Sequence, residues 1–160
     1  MKNLTAKDIM NSEVITVKDT MTVHELAAFF TDKMISGAPV VNKDNNLVGV
    51  VSLSDIVRND AQRTAIIKAD SETDFYLQSW DENFDKTELN NFHIEKDDDM
   101  LVHDIMTPMI FKVGENAAIA DMADTMINGR IHRLIVTRND QVLGIVTTLD
   151  MLKTIREYAK

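Results

Sequence analysis

Apolar and polar positions follow the same order twice along this chain. Val14-Ile15-Thr16-Val17 is a short β-branched run, and Val23, Leu26, Ala27, Phe30 and Met34 then recur at helical spacing. Two further apolar runs, Ala38-Pro39-Val40-Val41 and Leu47-Val48-Gly49-Val50-Val51, flank the polar stretch Asn42-Lys43-Asp44-Asn45-Asn46 and predict a β-hairpin. A helix from Leu53 to Arg58 closes the series. The second series begins with Ile110-Phe111-Lys112-Val113 and continues with Ile119, Met122, Ala123, Met126 and Ile127 at helical spacing. A hairpin of Leu134-Ile135-Val136 and Val142-Leu143-Gly144-Ile145-Val146 around Arg138-Asn139-Asp140-Gln141 follows, then a helix from Thr148 to about Tyr158. Each series reads strand, helix, strand, strand, helix, so the expected fold class is α+β.

The two series are copies of one unit. A shift of 96 brings Asp8-Ile9-Met10 onto Asp104-Ile105-Met106, Val17 onto Val113 and Val40 onto Val136. After the first hairpin turn the shift falls to 95, and Gly49, Val51 and Asp55 match Gly144, Val146 and Asp150. The lost residue falls in a turn, where a change of length costs least. Repeats of this length are equivalent supersecondary units whose core forms by packing one on the other, so a site made by one has a twin in the other. The expected divisions are residues 1–58, a connection over 59–100, and residues 101–160.

Charge marks out the connection. The chain carries 17 Lys and Arg against 26 Asp and Glu, a net charge of −9, which argues against nucleic acid or anionic lipid as a partner. Residues 59–100 hold 12 acidic and 4 basic residues, so the repeats themselves are nearly neutral. The connection also holds Phe75, Tyr76, Trp80, Phe84 and Phe92, a density of aromatics foreign to a disordered acidic tether. Tyr76, Trp80 and Phe84 are four apart and share a face if helical, so a partly helical insertion is expected. It either covers a module face or dimer seam, or docks another protein. Asp97-Asp98-Asp99 reads as a solvated helix or loop end. The chain has no cysteine, so disulfides, thiolate metal sites and a thiol nucleophile are excluded. No apolar stretch has the length of a membrane span, and residues 1–13 have no secretory h-region; the expected location is the cytoplasm.

Candidate chemistry lies in one duplicated formula: Gly, two β-branched residues, Ser or Thr, two residues, Asp. It runs Gly49 to Asp55 and Gly144 to Asp150. Ser52 with Asp55, and Thr147 with Asp150, have the spacing of a capping box at a helix N-terminus, which alone accounts for them. The same geometry suits a nucleoside phosphate. Free N–H groups and a hydroxyl face the phosphate, while the carboxylate accepts from a ribose diol.

D-I-M-x-x-x-h-x-x-V, a helix, a short hairpin and G-h-h-[ST]-x-x-D, given twice, resemble a tandem pair of CBS (cystathionine-β-synthase) domains, the Bateman module. The resemblance covers both repeats and leaves residues 59–100 aside. It implies β-α-β-β-α repeats packed about a pseudo-two-fold axis, two clefts between them, and modules that pair as homodimers. It further implies adenosyl ligands, AMP, ADP, ATP or S-adenosylmethionine, as regulatory rather than obligatory occupants. On the family pattern Asp55 and Asp150 take ribose, and Ser52 and Thr147 take phosphate. The base lies against Ile15-Thr16 and Gly37-Ala38-Pro39 in one cleft, and against Phe111-Lys112 and Arg133-Leu134-Ile135 in the other.

The copies differ at these positions. Pro39 becomes Ile135 and Thr16 becomes Lys112, so the clefts are expected to differ in affinity. Arg130, His132 and Arg133 form the densest basic group in the repeats, whereas Met34-Ile35-Ser36-Gly37 is uncharged. Ile131-His132-Arg133-Leu134 is similar to a segment of the γ regulatory subunit of AMP-activated protein kinase, where a His-Arg pair faces phosphates. Either that role or ion pairing with the acidic insertion accounts for the basic group. His24, His93, His103 and His132 have no metal-like spacing and join no triad, so neither a metal site nor catalysis is expected. The reading is a regulatory module for adenosyl ligands that signals through a ligand-dependent change in repeat or dimer arrangement. A ligand-free scaffold or oligomerisation module, whose insertion docks a protein partner, is the alternative. A regulatory fragment of a larger enzyme or transporter is the third.

Overall fold

A computed structural model describes residues 4–64, 74–77 and 100–159. Trp80, Phe84, Phe92, His93 and the Asp97–Asp99 run lie outside the described residues. Two compact units are present. Unit N holds residues 15–64, 74–75 and 100–109; unit C holds residues 4–14, 76–77 and 110–159.

Unit N contains β1 (Val17–Lys18), α2 (Val23–Lys33), β2 (Gly37–Val41), β3 (Leu47–Ser52), α3 (Leu53–Thr64) and α5 (Val102–Ile105). The sheet order is β1-β2-β3, with β1 parallel and β3 antiparallel to the central β2. Unit C contains α1 (Ala6–Ile9), β4 (Lys112–Gly114), α6 (Ile119–Gly129), β5 (Arg133–Arg138), β6 (Gln141–Thr147) and α7 (Thr148–Tyr158), with order β4-β5-β6 of the same sense. Between α3 and α5 lies α4 (Asp74–Leu77), one turn. The α+β class and the β-α-β-β-α order of each repeat are thus observed.

Local chemistry explains the boundaries. In α2, Thr22 Oγ1 accepts from the Glu25 N–H, and Glu25 reaches back to the Thr22 N–H, a reciprocal cap. Both α2 and α6 stop on a left-handed residue, Met34 (φ 54°) and Arg130 (φ 51°), whose N–H closes the last turn. The second hairpin turns through Asn139 and Asp140, both at positive φ, with Arg138 opposite Gln141; this is the two-residue turn that matches strand twist. The first hairpin uses Asn42 Oδ1 to hold the N–H groups of Asp44 and Asn46, a longer turn that accounts for the one-residue shift.

Each Asp-Ile-Met segment serves the body of the other copy. In unit C, α1 donates from Ala6 and Lys7 to the carbonyls of Ala117 and Glu115, at 2.9 Å each. In unit N, α5 donates from Val102 and His103 to Met21 and Asp19 at 2.8 and 3.0 Å. The methionine that follows sits on the motif glycine: a Cβ on Gly49 would lie 2.8 Å from Met106 Sδ, and one on Gly144 would lie 2.5 Å from Met10 Sδ. Only glycine lets these strands approach so closely.

The unit N core is Val17, Leu26, Phe30, Ala38, Val40, Val51, Ile56 and Val102, with α2 and α3 over the sheet. In unit C, Tyr76, Met122, Ile131, Leu134, Ile135, Val136 and Val146 are buried. The β-branched run at 14–17 becomes a strand only at Val17, whereas its counterpart begins pairing at Lys112. The reason is Pro39. Its counterpart Ile135 donates its N–H to the Phe111 carbonyl at 3.1 Å, and proline has no N–H to give.

Candidate functional site

In both units the candidate residues gather where the last strand passes into the closing helix. In unit N, Gly37 opens β2 directly opposite Ser52 at the end of β3, and the Leu53 N–H donates to the Ser36 carbonyl at 2.9 Å. In unit C, Arg133 lies opposite Thr147, and the Thr148 N–H donates to the His132 carbonyl at 3.0 Å. The loop before the hairpin is thereby tied to the helix N-terminus. This brings His132, Arg133, Thr147 and Asp150 together in unit C, and Gly37, Ser52 and Asp55 together in unit N.

The hydroxyl–carboxylate pairs are formed. Ser52 N–H and Oγ both donate to Asp55 Oδ2, at 2.7 and 2.9 Å, and both residues are buried. Thr147 N–H and Oγ1 donate to Asp150 Oδ2 at 2.9 and 2.6 Å, and Asp150 N–H returns a bond to Thr147 Oγ1 at 3.3 Å. The Thr147–Asp150 pair is a reciprocal capping box, Asp55 accepts from Ser52 in the same sense, and each carboxylate turns its second oxygen to a cation one turn along the helix. Arg58 Nη1 lies 3.4 Å from Asp55 Oδ1, and Lys153 Nζ lies 3.7 Å from Asp150 Oδ1. Sequence reasoning missed these two cations, although their i,i+3 spacing from the aspartates was there to read.

Ala38 and Pro39 are buried in β2 and Thr16 is half-buried just before β1. Leu134 and Ile135 are fully buried in β5. Lys112, in β4, is exposed and pairs with Asp140 of the hairpin turn. Arg130 is the exposed left-handed cap of α6, and His132 is exposed beside it.

Two residues of the insertion enter these sites. In unit C, Tyr76 is fully buried. Its Oη accepts from the Phe111 N–H at 2.9 Å, its carbonyl accepts from the His132 N–H at 2.8 Å, and its ring meets Phe111 edge to face with centroids 5.0 Å apart. Burial pushes the Tyr76 phenol up to about 12, against the opposing pull of the Phe111 N–H and the Arg133 charge. Burial also lowers the Arg133 guanidinium, and the nearby Tyr76 works the other way. In unit N, Phe75 is buried over Gly37, where a Cβ would lie 2.9 Å from its Cδ2. Neither contact follows from helical spacing in the insertion.

The family model for the CBS domain matches residues 6–61 and 102–157. The chain is 30% identical over 157 residues to MJ1426, an uncharacterized protein of Methanocaldococcus jannaschii, covering 93% of this chain and 89% of that protein. It spans only 43% and 40% of two longer proteins of the same organism, MJ1225 and MJ1232. The structure of CBSX2 in complex with AMP has the same fold, with a TM-score of 0.65 at 21% identity over 98% of each chain. So does the CBS domain pair of protein MJ0100 in complex with 5′-methylthioadenosine and S-adenosyl-L-methionine, with a TM-score of 0.64 at 20% identity over 97% of this chain and 98% of that one. With the family matched over both repeats, and with each repeat folded as a three-stranded sheet and two principal helices, the chain belongs to the CBS-domain family as a tandem CBS pair, a Bateman module.

Proposed function

We propose that this chain is a non-catalytic regulatory module that binds adenosyl ligands, AMP, ADP, ATP or S-adenosylmethionine, at the strand-to-helix junctions of its two units. The observation that carries the reading is the duplicated junction. A hydroxyl and a carboxylate stand at a helix N-terminus, directly beside the backbone of the neighbouring strand. Helix N–H groups and the hydroxyl suit a phosphate, and the carboxylate suits a ribose diol. CBSX2 in complex with AMP, and the CBS domain pair of MJ0100 in complex with 5′-methylthioadenosine and S-adenosyl-L-methionine, support the ligand class. His132 and Arg133 make the junction of unit C the better phosphate site; among the described residues, the junction of unit N has Arg58 beside Asp55.

The module works as a homodimer in this reading. The outer face of α7 supports it: Leu152, Ile155 and Tyr158 are 61%, 62% and 52% exposed, an apolar stripe at helical spacing. Ligand binding shifts the population between arrangements of the module, and a partner protein reads the change.

Thermal denaturation with AMP, ADP, ATP and S-adenosylmethionine in parallel tests the reading. At about 100 times its dissociation constant, a ligand of the folded state adds roughly 2.7 kcal/mol for one site. Protein freed of co-purified ligand that shows no shift with any of the four would refute it.

A further inference from the structure

The single turn α4 does more than cover a surface. In unit C the family pattern assigns Phe111-Lys112 and Arg133-Leu134-Ile135 to the base, and two backbone N–H groups border these strips, that of Phe111 at the start of the first and that of His132 just before the second. Tyr76 takes both, one on its hydroxyl and one on its carbonyl, and lays its ring against Phe111. A flat aromatic ring carrying an oxygen that accepts from the Phe111 N–H, with a second acceptor on its own backbone beside it, offers the stacking face and acceptor that a purine offers. The preceding residue repeats the theme in unit N, where Phe75 lies on Gly37, within the strip assigned to the base there.

We propose that Tyr76 is a built-in occupant of the base slot of unit C, so that an adenosyl ligand binds there only by displacing the 74–77 turn. The inference rests on the adenosyl-ligand reading and adds a threshold to it. A slot open one-tenth of the time binds about tenfold more weakly than an open one. The 74–77 turn thus sets the concentration at which unit C responds, and its release is the signal.

Isothermal titration of AMP into wild type and Tyr76→Ala tests this. The variant should bind roughly tenfold more tightly or better, and adding Asp150→Ala to it should abolish the gain. Equal or weaker binding by Tyr76→Ala overturns the plug while leaving the adenosyl reading intact. Absence of AMP and S-adenosylmethionine binding in both proteins overturns both. Because Tyr76 is fully buried, a second measurement keeps the wild-type fold. The chain has two tyrosines, Tyr76 and Tyr158, so 3-fluorotyrosine labelling gives two resonances, assigned with Tyr158→Phe. Saturating AMP should move the Tyr76 resonance to the position of a solvent-exposed tyrosine. A Tyr76 resonance that stays in place at saturation overturns the proposal.

Discussion

Replacing the two motif aspartates by alanine should destabilise the protein unequally even without ligand. In unit N, Asp55 Oδ2 accepts from both the N–H and the hydroxyl of Ser52, and Ser52 is fully buried. Alanine removes the acceptor of two donors that water cannot reach, and takes a carboxylate from beside Arg58. A bond to a charged acceptor is worth about 1.5–3 kcal/mol and a lost cap about 1, but the two bonds share one oxygen and do not add, so Asp55→Ala should cost about 2–3 kcal/mol. In unit C Thr147 is buried as well, but the Asp150 and Lys153 side chains are 20% and 54% exposed, so removing the carboxylate opens the stranded donors to water and Asp150→Ala should cost about 1–2 kcal/mol. Urea unfolding followed by circular dichroism, with ligand absent and the slope unchanged, measures both. Asp55→Asn, which keeps an acceptor oxygen, should recover part of the loss. A cost for Asp150→Ala equal to or above that of Asp55→Ala would refute the reasoning from burial. It also follows that ligand affinities of these variants must be measured by calorimetry well below their unfolding midpoints.

Gly49→Ala should cost about 1–3 kcal/mol in the same urea assay. Met106 can swing away, but the Thr107 carbonyl, 2.9 Å from the added Cβ, is backbone, so Met106→Ala should not rescue it. Met34→Gly should stabilise by about 0.5–1 kcal/mol, because Met34 is exposed and left-handed where glycine carries no Cβ penalty; a lower urea midpoint would contradict this. Raised alkalinity should expose Tyr76. Its neutral form is favoured in the folded state, so that stability is whole below pH 10 and is lost as pH rises through about 12, by roughly 2–3 kcal/mol. Urea midpoints at pH 9 and 11.5 should therefore fall further for wild type than for Tyr76→Phe.

Much of this was legible along the chain because it is local. The hairpins follow from paired apolar runs around polar turns with Asn and Asp, and the capping boxes follow from a three-residue spacing. What was not legible depends on contacts between distant segments. The glycine of each motif could be seen to recur, but its reason is the close approach of the other copy's Asp-Ile-Met and the residue after it, Met106 and the Thr107 carbonyl on Gly49 and Met10 and the Asn11 carbonyl on Gly144. The helix predicted to Arg58 continues to Thr64 through a polar sequence in which periodicity gives no signal. Tyr76 was read from its spacing to Trp80 and Phe84, yet its surroundings in unit C are set by Phe111 and His132, more than thirty residues away.

The difference between Pro39 and Ile135 now carries a physical consequence. Ile135 donates to the Phe111 carbonyl, which extends the pairing back to Phe111, whose own N–H is turned to Tyr76. Proline at position 39 cannot donate to the corresponding carbonyl of Ile15, and β1 starts only at Val17. Unit C therefore holds a phenol, whose oxygen meets the Phe111 N–H. Unit N, where the ladder is cut short, holds a plain phenyl ring that lies over Gly37. Each occupant thus matches the backbone it covers: a polar ring where the strand keeps its register, an apolar one where proline has shortened it. A purine presented to both slots would meet the same distinction, finding an oriented N–H in unit C and a shortened strand in unit N. Removing the occupant should therefore improve affinity most in unit C, where backbone recognition is already in place.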